Sequence, residues 1–287
     1  MKFNTPEIIT LVRLALKEDA ARSDLTTRLL INPHWTLEAA IIAKNAGVVA
    51  GLPLAGMFFK SLDPSIRFHP AIHDGDHVRA GDCLATVKGK AGSVLSAERP
   101  ALNALQHLSG IATYTHTQVQ KLKGTRAKLY DTRKTLPGWR VLQKYAVRCG
   151  GGLNQRMSLG DAIMIKENHL HVLRMAKGEW KRLLRRKKGR GHPFLQIEVQ
   201  SEHDLRDALE IKPQRVLLDN LTPRSLKRMM RLLRDEIPGI EIEFTGGVTP
   251  KNLRTLAKLG PDRISMGRLT HTVAAFDCSL DITSVHA

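Results

Sequence analysis

The chain has 287 residues, of which 42% are hydrophobic, so it is long enough for one large domain or two smaller ones and is not a disordered segment. Its formal net charge of +18 favours acidic partners, but aromatic residues make up only 5%, so base stacking is unsupported and we do not expect nucleic acid to be a ligand. No apolar run approaches the roughly 18 residues of a membrane span and the first residues lack a secretory segment, so we expect a cytoplasmic protein without membrane contact.

The amino-terminal third is predicted to form a small domain rich in β-strands. Residues 5–20 alternate apolar and charged positions in the manner of an amphipathic helix. Strand patterns follow in LEAAIIAKNAGVVAG and in IHDGDHVRAGDCLATV, where glycine and aspartate mark the turns. Residues 96–124 have helical spacing, and we expect this long helix to break near Ser109 and Gly110.

From residue 127 onward, short apolar strands alternate with helical segments. Six strands are predicted, in the sequences AKLYD, DAIMIK, FLQIEVQ, RVLLDN, IEIEF and RISMG. This alternation is typical of a parallel sheet with right-handed crossovers. Six strands are too few for a complete eight-stranded barrel, so the predicted fold class is α/β with a barrel-like variant of the βα fold.

Polar residues and glycines stand at the ends of these predicted strands. They are Asp131, Lys166, Glu198, Asp219, Thr245, Gly246, Gly247 and Gly267. Active sites of βα barrels gather at the carboxyl ends of the strands, so we expect these residues to share one site. For any one residue alone, ordinary turn and cap chemistry explains the position equally well.

The residue types at this predicted site favour a polyanionic ligand. The cations Arg133, Lys134, Arg156 and Lys166 accompany the carboxylates of Glu198 and Asp219. Arginine forks match carboxylates, and a TGG turn admits backbone N–H groups close to a phosphate, with a following helix adding its dipole. Two carboxylates beside bound phosphates are typical of Mg²⁺. No Ser–His–Asp or Cys–His set stands out, so the chemistry expected is electrostatic positioning.

A series of motifs carries a resemblance to a known family. The segments ERPALNALQHLSGIAT, DTRKTLPGWRVLQKYAVRCGGGLNQR, DAIMIKENH, IEVQ, LLDN, TGG and MGRLTH occur in that order. Together with EDAARSDLTT, they resemble the quinolinate phosphoribosyltransferases (carboxylating nicotinate-nucleotide pyrophosphorylases) over nearly the whole chain. The resemblance implies that quinolinate and phosphoribosyl pyrophosphate, with Mg²⁺, give nicotinate mononucleotide, pyrophosphate and CO₂ in de novo NAD biosynthesis.

The resemblance also implies an architecture and an assembly. It implies an amino-terminal α/β sandwich at residues 1–110 and an incomplete βα barrel at residues 111–272, as in type II phosphoribosyltransferases. We expect the carboxyl-terminal tail, residues 273–287, to pack back on the sandwich. The assembly implied is a homodimer or higher oligomer whose active sites are shared between subunits.

Residue roles follow from the matched motifs. Catalytic roles are implied for Lys134, Glu198 and Asp219, and the two carboxylates would also lie near Mg²⁺. Substrate-binding roles are implied for Arg99 (from the partner subunit), Arg133, Gln155, Arg156, Lys166, Thr245, Gly246, Gly247, Gly267 and His271. The chain departs from the family pattern at Pro100, Gln155, Gln196 and Phe244, and these departures concern quinolinate binding more than the reaction class.

Two other interpretations remain at this point. One is a homologue of the same fold from molybdenum systems, which acts on another substrate. The other is a relative that binds anions or nucleic acid and has weak or no activity, which the charge of +18 suggests. The basic stretch at residues 181–190 is interpreted as the solvated face of a helix.

Overall fold

The computed structural model describes residues 1–176, 179–186 and 193–287. Contacts within the chain separate two compact units. The first unit comprises residues 1–117, 135–151 and 269–287, and the second comprises residues 118–134 and 152–268. The predicted boundary at residue 110 falls inside a helix that continues to Gln120. Of the basic stretch 181–190, residues 187–190 lie outside the described residues.

The strands, in chain order, are β1 (Thr36–Ala43), β2 (Gly47–Val48), β3 (Arg67–Pro70), β4 (His77–Val78), β5 (Cys83–Lys90), β6 (Lys128–Tyr130), β7 (Ile163–Ile165), β8 (Leu195–Val199), β9 (Arg215–Asp219), β10 (Glu241–Thr245), β11 (Arg263–Ser265) and β12 (Cys278–His286). The α-helices are α1 (Pro6–Glu18), α2 (Leu25–Leu30), α3 (Leu52–Leu62), α4 (Ala91–Gln120), α5 (Arg140–Cys149), α6 (Glu167–Met175), α7 (Trp180–Arg186), α8 (Glu202–Ile211), α9 (Pro223–Glu236), α10 (Leu253–Lys258) and α11 (Arg268–His271). None of the helices in the described part of the chain combines the length and the apolar character that crossing a bilayer needs.

The first unit is built on an antiparallel sheet of four strands in the order β12–β1–β5–β3. Strand β1 pairs with the last strand of the chain, from Thr36 opposite His286 to Ala43 opposite Cys278. The other edge of β1 pairs with β5. The carboxyl-terminal residues therefore complete a sheet that the amino-terminal residues begin.

The long helix α4 passes through Ser109 and Gly110 without a break, so the expectation of a break was wrong. The hydroxyl of Ser109 accepts a hydrogen bond from the Ala50 amide at 3.0 Å and donates to the Ala50 carbonyl at 3.2 Å. A Cβ atom at Gly110 would collide with the backbone carbonyl of Ala274. The two small residues therefore serve close packing within the first unit, and the helix keeps its hydrogen bonds.

The second unit is built on a parallel sheet of six strands in the order β6–β11–β10–β9–β8–β7. The predicted strands and their parallel arrangement are confirmed. Every residue of β8 and β9 is buried, as expected for parallel strands covered on both faces. Strands β6 and β7 are neighbours in sequence but occupy opposite edges, so the sheet is left open between them. All six carboxyl ends point to one side, which we call the carboxyl edge.

Candidate active site

The carboxyl edge carries most of the predicted site residues of the second unit. They are Arg133 and Lys134 after β6, Lys166 after β7, Glu198 as the next-to-last residue of β8, Asp219 at the end of β9, Thr245, Gly246 and Gly247 at the end of β10, and Gly267 after β11. A bridge between Tyr130 and Leu153 brings the segment that contains Arg156 alongside β6. Parallel pairing thus gathers residues that are far apart in the sequence.

Arg133 and Arg156 are two cations whose hydrogen bonding is incomplete. The Nε atom of each is buried and has no hydrogen-bond partner among the described residues. One terminal nitrogen of Arg156 donates to the Ala162 carbonyl at 2.9 Å. Burial and the positive charge of Arg133 lower the pKa of the Arg156 guanidinium, and Asp161 offsets part of this effect. Two partly desolvated guanidinium groups that repel each other indicate a site for an anion, and carboxylates fit their geometry.

The buried carboxylate of Asp131 joins the two segments that carry these arginines. Its Oδ1 accepts a hydrogen bond from the backbone N–H of Gln155 at 2.7 Å, and its Oδ2 accepts one from Asn154 Nδ2 at 2.7 Å. Asp131 lies just before Arg133 in the sequence, and Gln155 directly precedes Arg156. The separation of the two guanidinium groups therefore depends on a residue that sequence analysis identified only by its place at a strand end.

The side chain of Gln155 is directed into the interior of the second unit. Its amide nitrogen lies 2.5 and 2.6 Å from the two carboxylate oxygens of Glu243, and 3.3 Å from Ser265 Oγ. Glu243 is fully buried and forms an ion pair with Arg263, whose Nε lies 3.1 Å from Glu243 Oε2. Burial raises the pKa of Glu243, while Arg263 and Ser265 act in the opposite direction. The substrate contact assigned to Gln155 stays a prediction, because its amide nitrogen already serves a buried carboxylate.

Glu198 and Asp219 lie on the neighbouring strands β8 and β9 and share a hydrogen-bond donor. The amide nitrogen of Gln200 is 3.2 Å from Glu198 Oε1 and 2.7 Å from Asp219 Oδ2. Lys166 Nζ is 3.0 Å from Glu198 Oε2, and Asn220 Nδ2 is 3.2 Å from Asp219 Oδ2. Gln200 and Asn220 end the motifs IEVQ and LLDN, but the sequence analysis assigned neither of them a role. The available signal was that each directly follows a strand.

These two carboxylates are the groups at the carboxyl edge that suit a metal ion. Across the described ranges, no set of three or more histidine, cysteine, aspartate or glutamate residues is arranged to hold one. Mg²⁺ is commonly held by one or two carboxylates, with water and substrate phosphates as its other ligands. The donor set of Glu198 and Asp219 therefore fits Mg²⁺ that arrives with a phosphorylated substrate.

The turn after β10 requires glycine for two reasons. Gly246 and Gly247 have φ angles of +70° and +57°, a region that favours glycine. A Cβ atom at Gly246 would overlap Asp219 Oδ1 and lie 2.6 Å from Cγ of Asn220. Helix α10 begins only at Leu253, so its amino terminus does not follow the turn directly. The predicted dipole contribution of that helix is therefore weak, and a phosphate at the turn would depend on backbone N–H groups.

The other predicted residues occupy varied positions. Lys134 is exposed, and its amide donates to Thr132 Oγ1 at 3.1 Å. Arg99 and His271 belong to the first unit, in α4 and at the end of α11. The Arg99 side chain is 60% exposed and lies 3.9 Å from Glu98 in the same helix. Their contribution to the site stays a prediction.

Comparison with known families covers both units. Residues 24–109 match the family described as the quinolinate phosphoribosyl transferase N-terminal domain. Residues 111–281 match the corresponding C-terminal domain. The two matches together span most of the chain, in the order in which the two domains are named.

Individual relatives match over most of their length. A probable carboxylating nicotinate-nucleotide pyrophosphorylase of Bacillus subtilis is 36% identical, over 93% of this chain and 90% of the relative. The carboxylating enzyme of Mycobacterium leprae is 35% identical, over 94% and 95% of the two chains. The decarboxylating quinolinate phosphoribosyltransferase 1b of Nicotiana tabacum is 37% identical, over 97% of this chain and 83% of the relative.

Solved structures agree with these sequence matches. The nicotinate-nucleotide pyrophosphorylase of Francisella tularensis superposes with a TM-score of 0.86 at 34% identity and covers 98% of both chains. The NadC protein of Streptococcus pyogenes superposes with a TM-score of 0.88 at 32% identity, over 100% of this chain and 99% of that one. The predicted fold class, an amino-terminal sheet domain with a six-stranded parallel sheet, is confirmed.

Proposed function

Because this chain belongs to the quinolinate phosphoribosyltransferase family, we propose that its carboxyl edge converts quinolinate and phosphoribosyl pyrophosphate into nicotinate mononucleotide, pyrophosphate and CO₂. The predicted activity, a pentosyl transfer in NAD biosynthesis, is confirmed at the level of the family. The observation that supports its placement here is the pair of arginines with unpartnered Nε atoms. Quinolinate presents two adjacent carboxylates, and two guanidinium forks match such a ligand.

The pentosyl transfer places charge where the acidic residues lie. The lone pair of the pyridine nitrogen forms a bond to ribose C1 while the bond from C1 to the pyrophosphate oxygen breaks. Positive charge develops on the sugar, and the fixed carboxylates of Glu198 and Asp219 stabilise it. Backbone N–H groups of the turn at Gly246 and Gly247 bind phosphate oxygens, and the ammonium group of Lys134 lies between the two substrates.

Loss of CO₂ uses the same cations. The bond between ring carbon 2 and its carboxylate breaks, and the electron pair stays on carbon 2 beside the cationic ring nitrogen until a proton is taken up. Arg133, Arg156 and Lys166 hold the ring through its carboxylates, which keeps the breaking bond in place. This step therefore needs a fixed orientation of the ring and a positive electrostatic potential around it. It needs no covalent intermediate with the protein.

Mg²⁺ belongs to this proposal as a companion of the pyrophosphate. Glu198 and Asp219 are the residues that would hold it, in agreement with the small number of carboxylates that Mg²⁺ takes from proteins. When bound, it supplies neutralising charge for the leaving pyrophosphate. Glu198 and Asp219 would then position the ribose. Arg133, Arg156 and Lys166 would position the pyridine ring.

The direct test is turnover by the purified protein. We expect quinolinate, phosphoribosyl pyrophosphate and Mg²⁺ to give nicotinate mononucleotide, measured by chromatography, with one CO₂ released for each nucleotide formed. Nicotinic acid lacks the 2-carboxylate and should give little product. Equal turnover of nicotinic acid, or no product from quinolinate at any concentration, would overturn the assignment.

We further propose a homodimer in which Arg99 of one copy completes the site of the other. The exposure of this side chain in a single copy supports the idea. At a quinolinate concentration too low for either variant alone to turn over, mixing Arg99→Ala and Arg156→Met proteins should restore about a quarter of the activity. In a dimer with shared sites, half of the dimers are mixed and each of these holds one intact site. Mixtures that stay inactive after exchange of subunits, shown by the mass of the mixed dimer in native mass spectrometry, would contradict a shared site.

A cytoplasmic location is also part of the proposal. Cys83, Cys149 and Cys278 are free thiols, as expected in a reducing compartment. Cell fractionation with an antibody to this chain would locate it.

A further inference from the structure

The amide of Gln200 connects the two acidic residues of the proposed site. We propose that Gln200 is a positioning residue, which acts as a neutral double donor that holds Glu198 and Asp219 together for the ribose and Mg²⁺. This inference deepens the proposed function and rests on it. Gln200 is the last residue of the motif IEVQ, but neither the resemblance nor the charge pattern assigns it a role.

The hydrogen-bond geometry supports this role. The single amide nitrogen of Gln200 is 3.2 Å from Glu198 Oε1 and 2.7 Å from Asp219 Oδ2. An amide NH₂ group has two donor hydrogens, so it can serve one carboxylate with each. Two carboxylates on adjacent strands otherwise repel each other, and a shared donor fixes their separation before substrate arrives.

The neutrality of the donor matters for binding a cation. Lys166 already contacts Glu198, so two carboxylates against one ammonium group leave one net negative charge. A second ammonium in place of the amide would cancel that charge and remove the attraction for Mg²⁺. An amide relieves the repulsion between the oxygens and leaves the net charge of the site unchanged.

The backbone of Gln200 is itself held in place. Its amide N–H donates to Asp204 Oδ2 at 3.1 Å, and Ser201 Oγ donates to the same oxygen at 2.8 Å. Arg174 donates to the other oxygen of Asp204 at 2.8 Å. Burial raises the pKa of Asp204, but the hydrogen bonds from these groups outweigh it, so the pKa is lowered and the carboxylate form is retained. These contacts therefore hold the backbone of Gln200 in place two residues before α8 begins.

The test compares Gln200→Met with the unchanged protein. Methionine has a similar length but donates no hydrogen bond. We expect the Mg²⁺ concentration for half-maximal turnover to rise about tenfold in the variant. The Kd of phosphoribosyl pyrophosphate, measured by calorimetry with Mg²⁺ and without quinolinate, should rise by the same factor. The KM for quinolinate and the midpoint of thermal unfolding should not change, which separates positioning from a general structural role.

Two further variants decide between explanations. Gln106 is a matched control, because its amide donates to the Cys278 carbonyl at 3.0 Å in the first unit, and Gln106→Met should leave the Mg²⁺ response unchanged. Gln200→Lys supplies donors with a charge, and we expect its Mg²⁺ requirement to stay raised.

A normal Mg²⁺ response in Gln200→Met would overturn the positioning role, and a normal response in Gln200→Lys would overturn the requirement for neutrality. If the unchanged protein binds phosphoribosyl pyrophosphate with Mg²⁺ but forms no nucleotide, the proposed function fails, and the calorimetric comparison still decides the role of Gln200.

Discussion

Replacing Arg156 by methionine is expected to raise the KM for quinolinate about 100-fold or more, because two hydrogen bonds from a charged, partly desolvated donor to a carboxylate are lost. The KM for phosphoribosyl pyrophosphate should change much less, since the acidic pair and the glycine turn remain intact. Arg133→Met should behave in the same way. The double variant should lose less than the sum of both effects, because the two arginines share one ligand.

Stability gives this prediction a second readout. In the substrate-free chain, burial and the charge of Arg133 both disfavour the Arg156 cation, as the lowered pKa of Arg156 indicates. The free energy of unfolding of Arg156→Met, measured with denaturant, should therefore stay the same or rise. Arg254→Met removes an exposed arginine that donates to the Lys121 carbonyl at 2.8 Å, and it should leave the KM for quinolinate unchanged. A normal KM in Arg156→Met would show that the pair does not bind the substrate carboxylates.

Replacing Gly246 by alanine is expected to lower kcat/KM for phosphoribosyl pyrophosphate about 100-fold. The φ angle of +70° costs a side-chain-bearing residue roughly 1–2 kcal/mol. The larger effect comes from the new methyl group, which would overlap the Asp219 carboxylate and press on Asn220. Either the turn or Asp219 must move, and displacements of about 1 Å in an active site can cost a factor of about 100.

Variants of two other glycines distinguish the effect of backbone strain at a positive φ angle from the effect of steric overlap. Gly260 has a φ angle of +88° with no atom within 4 Å of a built Cβ, so Gly260→Ala should lower the free energy of unfolding and leave the kinetics unchanged. At Gly247 the nearest atom is Asn220 Oδ1 at 3.4 Å, so Gly247→Ala should have an intermediate kinetic effect. Steady-state kinetics and denaturant unfolding of the three variants check the order. Equal kinetics for Gly246→Ala and Gly260→Ala would show that contact with Asp219 is unimportant.

The proposed site combines side chains that would contact the substrates with other side chains that hold these in position. The two arginines are proposed to bind an anion, and the buried Asp131 joins the segments that carry them. Glu198 and Asp219 are proposed to bind a cation, and the side-chain amide of Gln200 lies within hydrogen-bond distance of both. In both cases a short polar contact inside the protein sets the spacing of two like charges before any substrate binds.

Much of this molecule could be predicted from local sequence patterns. Apolar runs separated by helical spacing predicted all six strands of the parallel sheet, because burial on both faces leaves a nearly continuous apolar signal. The rule that carboxyl ends of parallel strands share one side then predicted which residues would meet, among them Lys166, Glu198 and Asp219. Motif order pointed to the family, and the comparisons confirmed it.

Other features depend on partners that no local pattern specifies. Ser109 and Gly110 suggest a helix break in isolation, yet packing against Ala50 and Ala274 retains them in a continuous helix. Gln155 fits a substrate clamp by motif, but its amide nitrogen turns toward Glu243 in the interior. Such contacts join residues distant in sequence, so only the folded chain determines them.

The sequence by itself determined the strand and helix rhythm, the family and the residue types at the carboxyl edge, because periodicity and motif spacing are properties of the linear chain. Only the tertiary structure decided which groups neighbour each other. Within the part of the chain that the structure describes, it left Nε of Arg133 and of Arg156 without a hydrogen-bond partner. It also brought Gln200 between two carboxylates and placed Gly246 against Asp219. The physical reason is that hydrogen bonds and charge repulsion act over a few ångströms in space, whatever the separation along the sequence.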